Sequence, residues 1–168
     1  KSGPAQAPVA ARMFGNLEKS GSNYIVCDSG GTTFDVGLIT NNKLRYSRDT
    51  WLGGDWIGHI LSISSVDISS IGAGGGSIAW FDDGGLLRVG PQSAGAQPGP
   101  ACYGQGGNLP TVSDAACVLG YFNPDFFLGG QMNLDIKAAR EAIESIATQL
   151  NKTIEEAAYG ILHLASEV

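Results

Sequence analysis

The sequence has 168 residues, of which 25 are Gly, and it carries a formal net charge of −6. Hydrophobic residues make up 43% and charged residues 15%, which excludes a disordered chain, because disorder requires low hydrophobicity and high net charge. The acidic balance disfavours nucleic acid and an anionic membrane surface as partners. No apolar run approaches the ~18 residues of a membrane-spanning helix, so we expect one globular domain or part of a larger one.

Both ends of the sequence are typical of an interior segment. The chain begins at Lys1, and nothing up to Gly21 has the apolar core of a signal peptide. The last stretch, Ile154–Val168, reads as a helix without a terminating Gly or Pro. We therefore expect the remainder of a longer chain to be a partner of this segment. A small protein trimmed of a tag or propeptide is the alternative.

The cysteines Cys27, Cys102 and Cys117 are odd in number and widely spaced, and no two of them form a CxxC pair. Only His59 and His163 could join them in a metal site. This pattern disfavours both a zinc site and a disulfide framework. We expect buried, reduced thiols in a cytoplasmic protein.

The composition changes along the chain in three steps: strand-rich sequence over 22–90, Gly- and Pro-rich loops over 90–130, and helical patterns over 135–168. The predicted strands are, in chain order, Tyr24–Cys27, Asp35–Thr40, Lys43–Thr50, Ser65–Ile71 and Ser77–Phe81. The pair Asn41-Asn42 predicts a tight hairpin turn. The loops are expected to be ordered, because they contain aromatic and branched residues that flexible linkers lack.

Three helices are predicted in the second half of the chain. The first is short and is expected to begin near Ser113-Asp114. Asp135 caps the second, which is amphipathic, and Thr153 with Glu156 forms a capping box for the third. The buried face of the second helix is expected to comprise Ile136, Ala139, Ile143, Ile146, Ala147 and Leu150. Strands followed by helices predict an α+β or mixed α/β domain.

Between the first two predicted strands lies the sequence Asp-Ser-Gly-Gly-Thr-Thr. An apolar strand delivers Asp28 to a turn in which Gly30 and Gly31 leave backbone N–H groups uncovered, and Thr32 and Thr33 add hydroxyl donors. Exposed N–H groups in such a turn suit phosphate oxygens. A carboxylate beside them suits a hydrated Mg²⁺ that the phosphates share, so Asp28 is the candidate metal ligand.

Other known phosphate motifs do not account for this segment. The glycines are followed by neither the Gly-Lys-Ser/Thr of a P-loop nor a helix, and the crossover helix of the dinucleotide fingerprint is also absent. The structural alternative is an ordinary hairpin whose Gly-Gly turn happens to follow an acidic residue.

A second glycine turn, Gly74–Gly76, again joins two predicted strands, and Ser77 follows it directly. Its amides and the Ser77 hydroxyl suit a nucleotide, a substrate or a purely structural turn, and the sequence leaves these three roles open. Asp67, in the strand before the turn, is expected to cap the turn or, less favoured, to touch the metal.

The first turn resembles the phosphate-binding hairpin of the actin, sugar-kinase and heat-shock chaperone superfamily, in which two such hairpins clasp the nucleotide. The two turns together with the run Gly-Pro-Gln-Ser-Ala-Gly-Ala-Gln-Pro-Gly-Pro-Ala-Cys-Tyr-Gly resemble the hydantoinase A / 5-oxoprolinase family, which includes acetone and acetophenone carboxylase subunits. The resemblance covers nearly the whole chain as the central segment of longer members. Gln6 departs from the family, in which a Gly is usual.

The resemblance implies a partial actin-like, ribonuclease H-like ATPase domain of mixed α/β class that binds ATP and Mg²⁺. The nucleotide-contacting residues that it implies in the hairpin are Asp28, Gly30, Gly31, Thr32 and Thr33, with Asp35 in a supporting position. Bound ATP would activate the carbonyl oxygen of a small-molecule substrate, either a cyclic amide to be hydrolysed or a ketone to be carboxylated. A second enzyme subunit is an expected partner. Alone, this segment is expected to be inactive and to bind nucleotide weakly, because the other hairpin is missing.

Two functions of other classes stay open: a non-catalytic actin-like nucleotide switch and a structural subunit. No catalytic residue is assigned. Single residues also leave alternatives. Arg88 could bind a phosphate or pair with Asp82, Asp83 or Asp114. Cys102, Trp51 and Trp56 are expected to pack, His59 to be solvated or packed, and Asp114 to cap its helix.

Overall fold

A computed structural model describes residues 2–48, 50–52, 58–61 and 63–167. These residues form four α-helices and ten β-strands of mixed α/β class, so the predicted fold class is confirmed. The chain divides into two compact units. The first comprises Lys1–Asp28 and Phe34–Ser70, and the second comprises Ser29–Thr33 and Ile71–Val168.

The elements up to Ile71 are a helix and a series of short strands that form small sheets. They are α1 (Ser2–Glu18), β1 (Tyr24–Ser29), β2 (Phe34–Thr40), β3 (Lys43–Leu44), β4 (Tyr46–Ser47), β5 (Thr50–Leu52), β6 (His59–Leu61), β7 (Ser65–Val66) and β8 (Ile68–Ile71). Strand β2 pairs with β1, β3 and β8. Separate antiparallel pairs join β4 to β7 and β5 to β6.

Helix α1 packs on β2 through a close contact between Pro8 and Gly37. Pro8 is fully buried, and a Cβ atom on Gly37 would lie only 2.6 Å from the Pro8 Cγ. The sequence did not predict this helix, because a proline in its interior argues against helix and its turns carry Gly3 and Gly15. Tertiary packing therefore stabilises α1 despite unfavourable local propensity.

The hairpin between β2 and β3 confirms the predicted Asn41-Asn42 turn. Thr40 pairs with Lys43, and both asparagines have positive φ angles, of 51° and 60°, as a tight two-residue turn requires. The strand predicted over Lys43–Thr50 is wrong as a single element. It is divided into β3, β4 and the start of β5, because each piece pairs with a different partner.

The second unit contains one hairpin covered by helices. Its elements are β9 (Ser77–Phe81), β10 (Leu87–Ser93), α2 (Val112–Val118), α3 (Ile136–Leu150), α4 (Ile154–Glu167) and two short 3₁₀ turns at Ala101–Tyr103 and Leu128–Gly130. β9 and β10 are antiparallel, with a register shift between Val89 and Ser93. The buried core joins Ala79 of β9 to Ala115, Ile143, Ala158 and Ile161 of the three helices.

The predicted helix caps are confirmed. The Asp135 Oδ1 accepts a hydrogen bond from the Ala138 N–H at 2.9 Å, and Thr153 and Glu156 exchange the two bonds of a capping box. The first predicted helix begins slightly earlier than expected, since Thr111 is its N-cap. Within α3, Ile136 is 41% exposed, so its predicted burial is wrong, and Ala142 is buried instead.

None of the helices in the described ranges is both long and apolar enough to cross a membrane.

Candidate functional site

The turn between β1 and β2 exposes the backbone amides of Gly31 and Thr32 at its tip. The Gly30 N–H donates to the Thr33 carbonyl oxygen at 2.9 Å and closes the turn. Gly31 and Thr32 at its tip are exposed, and within the described part of the chain their N–H groups donate to no protein acceptor. Adjacent exposed amides of this kind are the groups that an anion-binding concavity uses, and phosphate binding at this turn stays a prediction.

The second glycine turn packs directly against the first. A Cβ atom on Gly74 would lie 2.7 Å from the Gly30 carbonyl oxygen and 2.8 Å from the Thr32 nitrogen. A Cβ atom on Gly76 would lie 2.8 Å from the Gly31 carbonyl oxygen. Glycine is therefore required at both positions because two backbone segments approach closely.

The backbone N–H groups of the second turn donate hydrogen bonds to acceptors within the protein. The Gly74 N–H donates to the Ser77 Oγ at 2.9 Å, the Gly75 N–H to the Gly30 oxygen at 3.1 Å, and the Gly76 N–H to the Gly31 oxygen at 2.6 Å. Ser77 is fully buried. These contacts favour the structural role among the three left open, and direct nucleotide contact by Gly74–Ser77 stays a prediction.

A third segment, at the end of β10, also contacts the first turn. The Ser93 hydroxyl donates to the Gly31 carbonyl oxygen at 3.3 Å and accepts from the Gly95 N–H at 3.1 Å. The Ala94 N–H donates to the Gly76 oxygen at 2.8 Å. No role was predicted for Ser93, whose position in the Gly-Pro-Gln-Ser-Ala-Gly run is the signal that the sequence offers.

Buried Asp114 ties three backbone segments together. Its carboxylate accepts from the N–H groups of Ala101, Cys102 and Thr111 at 3.3, 2.7 and 3.0 Å, and from the Thr111 hydroxyl at 2.7 Å. The predicted helix cap is confirmed as a capping box with Thr111. The neighbouring Ser113 N–H donates to the Gly75 oxygen at 2.8 Å, which links the start of α2 to the second glycine turn.

The three cysteines occupy two different environments. Cys102 and Cys117 are buried, as predicted, but Cys27 is exposed, so the expectation of burial is wrong for Cys27. Burial raises the pKa of the Cys102 thiol well above its usual range, and the Asp114 carboxylate adds to this effect. Burial is also the largest cause of the raised pKa of Cys117. Because thiolates are the reactive form, neither buried thiol suits a nucleophile.

This difference predicts the order of thiol reactivity. With iodoacetamide at pH 8, Cys27 is expected to be alkylated in the native protein, whereas Cys102 and Cys117 react only after denaturation. Peptide mass spectrometry of the native and denatured protein measures the three sites separately. Labelling of Cys102 in the native protein at the rate of Cys27 would contradict the buried environment.

Asp28 and Asp35 flank the first turn in the sequence and belong to the first unit. Asp28, near the end of β1, is exposed, and the structure gives its carboxylate no hydrogen bond or ion pair to any described residue. Asp35 is buried in β2 and accepts a hydrogen bond from the Ser70 hydroxyl. The metal role of Asp28 and the supporting role of Asp35 stay predictions from the sequence.

The structure also shows the surroundings of Arg88, Asp67, His59 and Trp51. Arg88 pairs with Asp82 at 2.8 Å, which confirms the ion-pair alternative. Asp67 pairs with Arg45 at 2.9 Å, and this salt bridge replaces the turn cap that was expected there. The remaining positions are His59, which is exposed, Trp51, which is half-buried, and Trp56, which lies outside the described residues.

The donor set fits a phosphate group better than a metal held by protein alone. Among the described residues, no cluster of three or more His, Cys, Asp and Glu side chains could hold a metal ion. Mg²⁺ is commonly bound by one or two carboxylates together with substrate phosphates. The backbone amides of Gly31 and Thr32, which have no acceptor among the described residues, are donors of the kind that bind such phosphates.

The whole chain, residues 1–168, matches the sequence model of the family Hydantoinase/oxoprolinase. The chain belongs to this family. The resemblance inferred from the motifs is thereby confirmed. Among relatives of this hydantoinase/oxoprolinase chain, the caprolactamase subunit alpha of Pseudomonas jessenii is 44% identical over 170 residues, covering 98% of this chain and 23% of that protein.

Two further relatives belong to carboxylases. The acetophenone carboxylase gamma subunit of Aromatoleum aromaticum is 43% identical, covering 93% of this chain and 21% of that protein. A nucleotide-free structure of acetone carboxylase, from work on ATP-dependent acetone carboxylation, superposes with a TM-score of 0.87 and 36% identity, covering 99% of this chain and 23% of that chain. The chain thus spans less than a quarter of the length of these relatives.

Proposed function

We propose that this chain is the nucleotide-binding part of a longer, ATP-dependent enzyme that activates a carbonyl oxygen by phosphorylation. The pair of free, exposed amides at Gly31 and Thr32 carries this proposal, because it offers an anion site in the turn where the sequence predicts phosphate binding. The solved relative studied for ATP-dependent acetone carboxylation supports the choice of nucleotide.

ATP, when bound, would supply the phosphoryl group that activates the carbonyl oxygen of the substrate. The task of the chain is to hold the transferring phosphate in place and to offset its charge. The Gly31 and Thr32 amides would donate to phosphate oxygens, and the Thr32 hydroxyl could add a third donor. Asp28 would hold Mg²⁺ through water molecules.

Two branches of chemistry fit this proposal, and similarity does not separate them. Identity to the caprolactamase subunit is 44% and identity to the acetophenone carboxylase subunit is 43%. We propose hydrolysis of a cyclic amide first and ketone carboxylation second, with a partner subunit in either case. The full-length protein with its partner should release ADP with a hydantoin, 5-oxoproline or lactam, or with a ketone plus bicarbonate, and the pair that works decides the branch.

Substitution of Asp28 tests the nucleotide site itself. Asp28→Ala in the full-length protein is expected to weaken ATP binding about tenfold in Mg²⁺, because one carboxylate of the metal shell is lost. In EDTA the variant should match the unsubstituted protein. Calorimetric titration with ATP under both conditions measures the difference.

Asp83→Ala is the matched control, since Asp83 is exposed in the turn between β9 and β10, and it should bind ATP normally. Unchanged ATP affinity of Asp28→Ala in Mg²⁺ would contradict the metal role. ATP binding without substrate-dependent ADP release would instead fit a nucleotide switch.

A further inference from the structure

We infer that Ser93, together with the amides of Gly75 and Gly76, sets the direction in which the two free amides point, so that Ser93 is a positioning residue for the anion site. This inference rests on the proposed function, because it assigns a task within the same site. Ser93 acts on the anion site through the Gly31 carbonyl oxygen, which accepts a hydrogen bond from its hydroxyl.

The peptide groups at the tip of the first turn are trans. Both cis bonds in the described residues precede proline, at Gly90-Pro91 and Gln97-Pro98. In a trans peptide group the C=O and the N–H point in opposite directions across a rigid plane. Whatever holds the carbonyl oxygen of one residue therefore also fixes the direction of the next residue's N–H.

The carbonyl oxygens of Gly30 and Gly31 both accept hydrogen bonds from the second glycine turn. The Gly30 oxygen accepts from the Gly75 N–H, and the Gly31 oxygen accepts from the Gly76 N–H at 2.6 Å. The first oxygen shares its peptide group with the Gly31 N–H, and the second shares its group with the Thr32 N–H. The two free amides consequently point away from the second glycine turn.

Ser93 adds a second hydrogen bond to the Gly31–Thr32 peptide group. The Gly31 oxygen is the one that accepts two hydrogen bonds, from Gly76 and from the Ser93 hydroxyl. The Ser93 hydroxyl is itself oriented, because it accepts from the Gly95 N–H at 3.1 Å. Hydrogen bonds to a carbonyl polarise the whole peptide group, so Ser93 both fixes the Thr32 N–H and makes it a stronger donor to an anion.

The test compares ATP with adenosine on the full-length protein. Ser93→Ala removes the hydroxyl and is expected to weaken ATP binding about fivefold, the weight of one hydrogen bond, while adenosine binding stays unchanged. Competition calorimetry measures both ligands. The matched control is Ser145→Ala in α3, which also removes a hydroxyl that donates to a backbone carbonyl, that of Ala142 at 3.0 Å, and it should leave both affinities unchanged.

Three outcomes would overturn the inference. Equal ATP affinity of Ser93→Ala and the unsubstituted protein would remove the positioning role and leave the proposed function intact. A parallel loss of ATP and adenosine binding would show a merely structural role for Ser93. Failure of the unsubstituted protein to bind ATP would overturn the proposed function and this inference together.

Discussion

Substitution of Gly74 by Ala is expected to abolish productive ATP binding, with a loss of affinity of at least about tenfold, and to destabilise the surrounding backbone by about 1–3 kcal/mol. The added Cβ would lie within 2.8 Å of Gly30 and Thr32 backbone atoms. No flexible side chain can move aside there, so the first turn itself must shift. Calorimetry with ATP and amide hydrogen exchange of peptides over residues 29–34 measure the two effects.

Gly31→Ala provides the contrast. A Cβ atom on Gly31 would meet no atom within 4 Å, and its φ lies outside the left-handed region. The free energy of local opening measured by hydrogen exchange should therefore be unchanged within about 0.5 kcal/mol. ATP affinity is still expected to fall, because the added methyl group is bonded to the Cα atom between the two tip amides and would crowd an anion held there. If Gly31→Ala binds ATP normally, phosphate does not approach the tip of this turn.

Substitution of Asp114 by Asn is expected to destabilise α2 and the adjoining 3₁₀ turn by roughly 3 kcal/mol or more. The Asp114 carboxylate accepts four hydrogen bonds in a fully buried site. An amide group offers one oxygen and two N–H donors, so some of the surrounding donors would face another donor. Hydrogen exchange of peptides covering residues 98–120 measures the local loss of stability.

Asp135→Asn is the matched control for this prediction. Asp135 is an exposed N-cap that accepts a bond from the Ala138 N–H, and Asn is as good a cap as Asp. Little change is expected in α3. Equal and small effects of the two substitutions would mean that the Asp114 charge contributes nothing to holding the three segments together.

Features that depend on neighbouring residues in the sequence were predictable. The Asn41-Asn42 turn, the Asp135 cap and the Thr153–Glu156 capping box each rest on side chains that bond to backbone within four residues. The turn at Gly30-Gly31 is of the same kind, since its glycines and threonines stand together between two strands, whereas phosphate binding there stays a prediction. Local sequence patterns of this kind predict structure well, because the hydrogen bonds that they encode form between residues that are close together in the chain.

Features decided by distant segments were not predictable. Helix α1 contains Pro8, and its formation depends on packing against Gly37, 29 residues away along the chain. The second glycine turn offered open amides in the sequence, yet the first turn supplies acceptors for two of them. Ser93 contributes to the site through a bond to Gly31, 62 residues away, and no local pattern encodes such a separation.

Large mutational screens of this protein are expected to separate the glycines by their surroundings. Scored by cellular abundance alone, substitutions of Gly31 would look neutral, whereas those of Gly74 and Gly76 would be depleted, because only the latter two face backbone atoms within 2.8 Å. Under the proposed function, a screen scored by growth that requires the activity of the full-length protein would show depletion at all three. Subtracting the two scores would map the ligand-facing positions without any ligand-bound structure.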